Sequence, residues 1–300
     1  MSNIRQKYPI FLSIGVLLAA LIFSFAGAGL VLGLSALFPG LSHQGDFLVS
    51  LIAEVVMLLG MILLCFLLGM GHVFREKGRG FFGSMAPAGF ILGYYIYAGL
   101  ASAIMSMYDP LQPLPQIIFF ILCMAAIGIT EELAFRGLIT RMIFDKYGHS
   151  RAGIWLTVVV SGIIFGGMHL VNAAGGAMPL EGVLIQVIGA AALGMCLSAV
   201  YLRGRNLWSV AVIHAFMDFC ALISAGIFTS STIVDTVAGY SPVMLVGSLF
   251  YFLLAAFLLR KSKLEPFLTG ESAGKSTVIK LSIAVVVLLL MVAVVLVLTL

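Results

Sequence analysis

Apolar residues fill this chain in nine long blocks, and the polar residues gather in the short stretches between them. The blocks run from Pro9 to Phe38, Phe47 to Gly71, Ala88 to Tyr108, Gln116 to Phe144, Gly153 to Val171, Gly182 to Leu202, Leu207 to Phe228, Val243 to Leu259 and Leu281 to Leu300. Most approach the roughly 20 residues needed to cross a hydrocarbon core. No series of ten-residue alternating segments suggests a membrane barrel, and lipid otherwise admits only helices, whose backbone hydrogen bonds close within one segment. The pattern predicts an all-α fold, a polytopic transmembrane helix bundle.

The last block has a different setting. The stretch KSKLEPFLTGESAGKSTVIK before it is polar enough for a cytoplasmic linker, so the expectation is an eight-helix core with an additional C-terminal helix. In residue numbers, 1–114 carry helices one to three, 115–228 helices four to seven, 229–264 a loop and helix eight, 265–280 the linker, and 281–300 the appended helix. Arg5 and Lys7 before an apolar run imitate a secretory signal. That run, however, continues well past the roughly 7 to 15 residues of a signal's apolar region, so it reads as the first membrane helix.

Composition excludes a soluble domain: 62% of residues are hydrophobic and 9% charged, with a mean hydropathy of +1.19. Such a chain belongs in a membrane, with lipid as its surrounding partner. The basic residues then set orientation, because loops rich in Lys and Arg stay cytoplasmic. Arg5 and Lys7, then Arg75, Lys77 and Arg79, then Arg141, Lys146 and Arg151, then Arg203 and Arg205, then Arg260, Lys261 and Lys263 mark every second connection. The connections between hold Asp46, Asp109, Glu181 and Asp235 instead. This places the N-terminus in the cytoplasm. It also accounts for the net charge of +4 without a nucleic-acid partner.

Cys65, Cys123, Cys196 and Cys220 lie inside expected helices without metal or redox spacing, and read as core residues. There is no HExxH and no GxSxG, which disfavours two familiar designs of protease. What remains is a set of ionisable residues in apolar helices: Glu54, Glu131, Glu132, Arg136, His169, His214 and Asp218. Each is costly in lipid, so such residues face a cavity, pair with one another, and serve a function. In GITEELAFRGLIT, residues 128–140, Glu132 and Arg136 fall four apart in the favourable order for an ion pair on one helix face. Glu131 is rotated by about 100° from that face and is left to act elsewhere. Phe165 and His169 share a face in FGGMHL, where Gly166 and Gly167 permit close helix approach. His214 and Asp218 repeat the four-residue spacing in HAFMDF. A carboxylate, two imidazoles and a second acid form a set able to activate water and stabilise an oxyanion. Glu54 reads equally as a structural residue or an ion site.

These three motifs, EExxxR, FxxxH and HxxxD in that order, resemble the CAAX-protease and bacteriocin-processing family of intramembrane proteases, also called Abi proteins. The Ras-converting CAAX endopeptidase belongs to that family. The resemblance covers roughly residues 115–225. It implies an endopeptidase acting on a membrane-associated or prenylated protein or peptide, with a cavity open to the cytoplasm. The implied setting is the bacterial cytoplasmic membrane. Glu131 with His169 would activate water, His214 and Asp218 would flank the oxyanion, and Glu132, Arg136 and Phe165 would support them. Whether a metal takes part stays open, because the family was grouped with metalloproteases while a glutamate mechanism also fits. If zinc is bound, Glu131, His169, His214 and Asp218 are its candidate ligands. The competing readings are an ion-coupled transporter, in which buried Glu and His relay protons, and a non-catalytic scaffold or immunity protein.

Overall fold

In a computed structural model of the chain, residues 2–38, 46–173, 178–264, 268 and 273–299 are described. Among them helices dominate and strands are absent, apart from an isolated bridge between Leu111 and Phe228. The principal helices are α1 (Pro9–Leu37), α2 (Asp46–Leu67), α3 (Gly89–Met105) and α4 (Leu114–Glu132). A π-helical segment, Leu133–Thr140, leads into α5 (Arg141–Tyr147). Then come α6 (Arg151–Met168), α7 (Leu180–Gly204), α8 (Leu207–Ala221), α9 (Leu245–Leu258) and α10 (Lys275–Thr299).

Seven helical spans among the described residues are long and apolar enough to cross a membrane, and Leu207–Ala221 and Pro242–Leu258 add two shorter apolar ones. They coincide with the nine expected blocks. Large side chains such as Phe11, Leu32, Phe90 and Tyr97 lie exposed along these helices, as surfaces solvated by lipid require. The chain is an all-α, multi-pass integral membrane protein. Of the expected 265–280 linker, residues 265–267 and 269–272 lie outside the described residues, and α10 begins at Lys275.

The chain forms two compact units. One comprises Val16–Ala134 and Gly204–Ile233. Its centre is α4, against which α2 and α8 both pack. Phe120 of α4 lies between Phe47 of α2, with ring centroids 5.0 Å apart, and Phe219 of α8, stacked at 5.3 Å. Further along α4, Gly128 allows α8 to close in: a Cβ there would sit 2.6 Å from the Ala211 carbonyl oxygen and 2.7 Å from the Ala215 nitrogen. The start of α8 is fixed as well. Asn206 caps it by accepting from the Ser209 amide at 3.1 Å, Ser209 Oγ donates to the Phe81 carbonyl at 2.7 Å, and Trp208 Nε1 donates to the Phe74 carbonyl at 3.0 Å. These bonds tie α8 to the 71–85 segment and so set how far His214 enters the bundle.

The other unit comprises Met1–Gly15, Phe135–Arg203 and Val234–Leu300. Here Gly166 of α6 is the close-approach position, since a Cβ would come 2.5 Å from the Val187 carbonyl oxygen, whereas one at Gly167 would meet nothing within 4 Å. A buried hydroxyl cluster ties three segments together: Thr140 to Ser161 at 2.7 Å, Thr140 to Ser198 at 3.2 Å, and Ser198 to Ser161 at 3.3 Å. Such bonds between helices suit an interior where water offers no competing partner. Helix α10 packs along α6, and its Met291, Val292 and Val295 join Ile185 and Ile188 of α7 in one apolar cluster.

Candidate functional site

Within the unit centred on α4, that helix and α8 carry four ionisable groups to one place. His214 sits on α8 with a side chain only 4% exposed, and its Nδ1 lies 2.7 Å from Oε1 of Glu132, which is fully buried. A carboxylate oxygen of an ionised Glu only accepts, so the bond places the proton on Nδ1 and fixes the ring plane. The second nitrogen, Nε2, then points toward two further carboxylates. Glu131 Oε2 lies 3.7 Å from it and Asp218 Oδ2 3.6 Å. Glu131 is 15% and Asp218 29% exposed, so these two, and not Glu132, can meet a molecule entering the site.

The local folding follows from the close approach at Gly128 and Ala211. Phe120 meets Phe219 while Gly128 meets Ala211 and Ala215, so the two helices run antiparallel; Glu131 and His214 stand one turn to either side of the Gly128 contact, with side chains that lean back toward it. Asp218 follows His214 by four residues on the same face of α8. Glu131, His214 and Asp218 thus meet within one unit, whereas His169, expected with them, belongs to the other. Within this unit Glu132 holds His214 through Oε1. The α-helix ends at Glu132, where the π-helical segment begins.

Arg136, Phe165 and His169 belong to the other unit and form an arrangement of their own. Arg136 is fully buried; its Nη2 donates to the Gly194 carbonyl at 3.2 Å, and its guanidinium carbon lies 4.7 Å from the centre of the Phe165 ring. Phe165 also takes the edge of Phe135 at 4.8 Å and packs against His169 at 5.2 Å. Phe165 is therefore a platform against which both polar residues pack. His169 follows the last residue of α6, with Nδ1 3.1 Å from the Phe165 carbonyl oxygen. A carbonyl only accepts, so Nδ1 donates, and in the neutral ring Nε2 carries the lone pair that a base needs.

Among the described residues, no three His, Cys, Asp or Glu side chains converge as a metal-ligand set. All four cysteines are buried and unbridged, in keeping with their reading as core residues. One residue escaped assignment from sequence. Glu54 on α2 lies against Thr130 and within electrostatic reach of Glu131, His214 and Asp218. The sequence marked it only as a carboxylate in an apolar helix, since its contact with Thr130 depends on α2 packing along α4.

Residues 113–220 match the family model described as type II CAAX prenyl endopeptidase Rce1-like. The segment opens one residue before α4 and closes near the end of α8, so it contains all three motifs but not Glu54. The resemblance drawn from those motifs holds over this segment. No curated protein matches the chain. No solved structure matches it either.

Proposed function

We propose that this chain, whose residues 113–220 match the family model described as type II CAAX prenyl endopeptidase Rce1-like, is an intramembrane endopeptidase that hydrolyses peptide bonds of membrane-associated or prenylated proteins or peptides. The reading is carried by one observation: Glu131 and Asp218 flank Nε2 of His214 while Glu132 holds the opposite ring nitrogen. In this mechanism Glu131 removes a proton from water as its oxygen attacks the carbonyl carbon of the scissile bond, and the family pattern adds His169 as a helper. The oxyanion that forms is stabilised by a proton at His214 Nε2, with Asp218 orienting and favouring that protonated ring. Glu131 then returns its proton to the departing amine as the C–N bond breaks, which balances the hydrolysis. Arg136 and Phe165 keep their supporting roles.

We assign the reaction to glutamate-activated water without a metal. Glu131, Glu132 and Asp218 with the His214 imidazole supply a base, an acid and an oxyanion partner, and the described residues form no ligand set. The substrate would enter from the cytoplasmic side, following the alternation of basic loops.

The test is hydrolysis of a synthetic peptide pool by the purified full chain in liposomes, compared with Glu131→Gln. The substitution keeps volume and removes the base, so turnover should fall by about 10²-fold or more while thermal unfolding is unchanged. A Glu131→Gln protein as active as the parent would end this reading. A strong chelator should leave the rate intact; loss of activity that zinc restores would replace the glutamate mechanism with a metal one.

A further inference from the structure

Three membrane spans have an end in the unit that holds Phe135–Arg203: Pro9–Leu37 and Lys275–Leu298 begin there, and Leu114–Tyr147 closes there. The short helix Ser2–Lys7, which leads into the first of them, packs against α5 at the close of the third. Where these two helices meet lies a cavity of about 230 Å³, lined by Arg5, Gln6, Met142, Asp145 and Lys146. It has room for several water-sized groups.

The lining suits a negative charge. Its acid, Asp145, accepts from Arg141 Nε at 2.7 Å, so that carboxylate is already matched by a cation. Arg5 and Lys146 add positive charge to the wall, and the Gln6 amide stands beside them. The Lys146 ammonium gives one of its three hydrogens to the Lys7 carbonyl and keeps the others for a ligand. A further cation stands nearby, because Tyr147 has Lys146 Nζ 5.5 Å and Lys280 Nζ of α10 5.7 Å from its ring centre. The setting then selects the kind of anion. Tyr8 and Phe11, 53% and 76% exposed, follow the lining residues directly on the way into α1, and Met142 gives the cavity an apolar wall. Hydrocarbon therefore begins about one helical turn from the charged groups.

We propose that this cavity binds the phosphate headgroup of an anionic phospholipid. The Arg5 guanidinium and the Lys146 ammonium donate to phosphate oxygens, the Gln6 amide donates beside them, and the acyl chains lie along Tyr8 and Phe11. By the alternation of basic loops the lipid belongs to the cytoplasmic leaflet, whose surface is negatively charged. Bound there, it bridges the short helix and α5 and stabilises their contact. The inference stands apart from the peptidase reading, because none of these residues takes part in that chemistry.

The test is native mass spectrometry of the purified full chain, released from detergent after incubation with equal amounts of phosphatidylglycerol and phosphatidylcholine. Retained phosphatidylglycerol should exceed phosphatidylcholine by about tenfold or more, since each basic residue beside an anionic lipid is worth about fivefold. The double variant Arg5→Gln, Lys146→Gln should lose about tenfold or more of that retention, while Lys263→Gln, outside the lining, keeps the parent value. Asp145→Asn removes the negative charge from the wall and should raise retention by about twofold or more, a gain that misfolding cannot produce. Glycerol phosphate in large excess should displace little of the lipid, because it lacks the chains. Equal retention of the two lipids overturns the proposal. A double variant that keeps its phosphatidylglycerol, or an Asp145→Asn protein that gains none, overturns it as well. Full displacement by glycerol phosphate would make the cavity a site for soluble anions and end its assignment to lipid.

Discussion

His214 and Glu132 are separated by 82 positions in the chain, yet their side chains meet at 2.7 Å, both almost wholly buried. This bond holds the ring whose other nitrogen faces Glu131 and Asp218, so it should matter to stability and to rate alike. Glu132→Ala leaves a buried imidazole donor without its acceptor, a cost of about 1 to 3 kcal/mol. The purified variant should unfold at a temperature several degrees lower and hydrolyse peptides far more slowly. Glu132→Gln keeps an oxygen that can accept, and should fall between that variant and the parent. An alanine variant that melts with the wild type would mean the bond contributes nothing to the fold.

Gly128 gives a test of the helix approach beneath the site. An alanine there would place its Cβ 2.6 and 2.7 Å from backbone atoms of α8, which cannot swing aside as a side-chain tip could. Helices α4 and α8 must separate, carrying Glu131 away from His214 across the contact. Displacements near 1 Å can cost about 10²-fold in rate. Gly128→Ala should therefore insert and fold but lose at least tenfold in kcat, measured beside an unfolding curve. Unimpaired kcat would contradict the close approach.

The all-α class, the seven candidate spans and the shared face of His214 and Asp218 were legible in the sequence because each rests on local spacing. Apolar block length gives the spans, and a four-residue step puts His214 and Asp218 on one face. The bond between Glu132 and His214 was not legible, because it depends on how far α8 advances along α4. That advance is set by Asn206, Trp208 and Ser209 binding the 71–85 segment, and no local rule predicts such contacts. The π-helical segment was hidden for a related reason. LAFRGLIT has nothing in its composition to distinguish i to i+5 bonding from an ordinary helix.

Orientation in the membrane can be read with thiol labelling. All four native cysteines are buried and make a quiet background. Arg151 and Glu181 are both exposed, and α6, with its 18 residues, runs between them. Arg151→Cys should react with an impermeant maleimide only when the cytoplasmic side is accessible, and Glu181→Cys only from the other side, as the alternation of basic loops requires. Labelling of both from outside intact cells would overturn the cytoplasmic placement of the N-terminus and the direction from which substrate is proposed to enter.

Asp218 separates the remaining mechanisms. Its Oδ2 lies 3.6 Å from His214 Nε2, too long for a direct hydrogen bond but close enough for strong attraction to a protonated ring, and its side chain is 29% exposed. Three roles compete for it: a protonated acid donating to the oxyanion, an ionised group that orients and charges His214, and a metal ligand beside that histidine. The ionised, orienting role suits the geometry best, because His214 is the nearest partner that Asp218 has on α8 and its Nδ1 proton is already committed to Glu132. Under that role Asp218→Asn keeps a polar group of the same shape and should retain partial activity, since orientation survives while charge is lost. Asp218→Ala should lose most of it, by about 10²-fold or more. Chelators should change neither variant's rate. The comparison is kcat for the three proteins in the same liposomes, with bound metal measured by mass spectrometry. If zinc co-purifies with the wild type at one per chain and disappears in Asp218→Asn together with activity, the orienting role is wrong and Asp218 is a ligand.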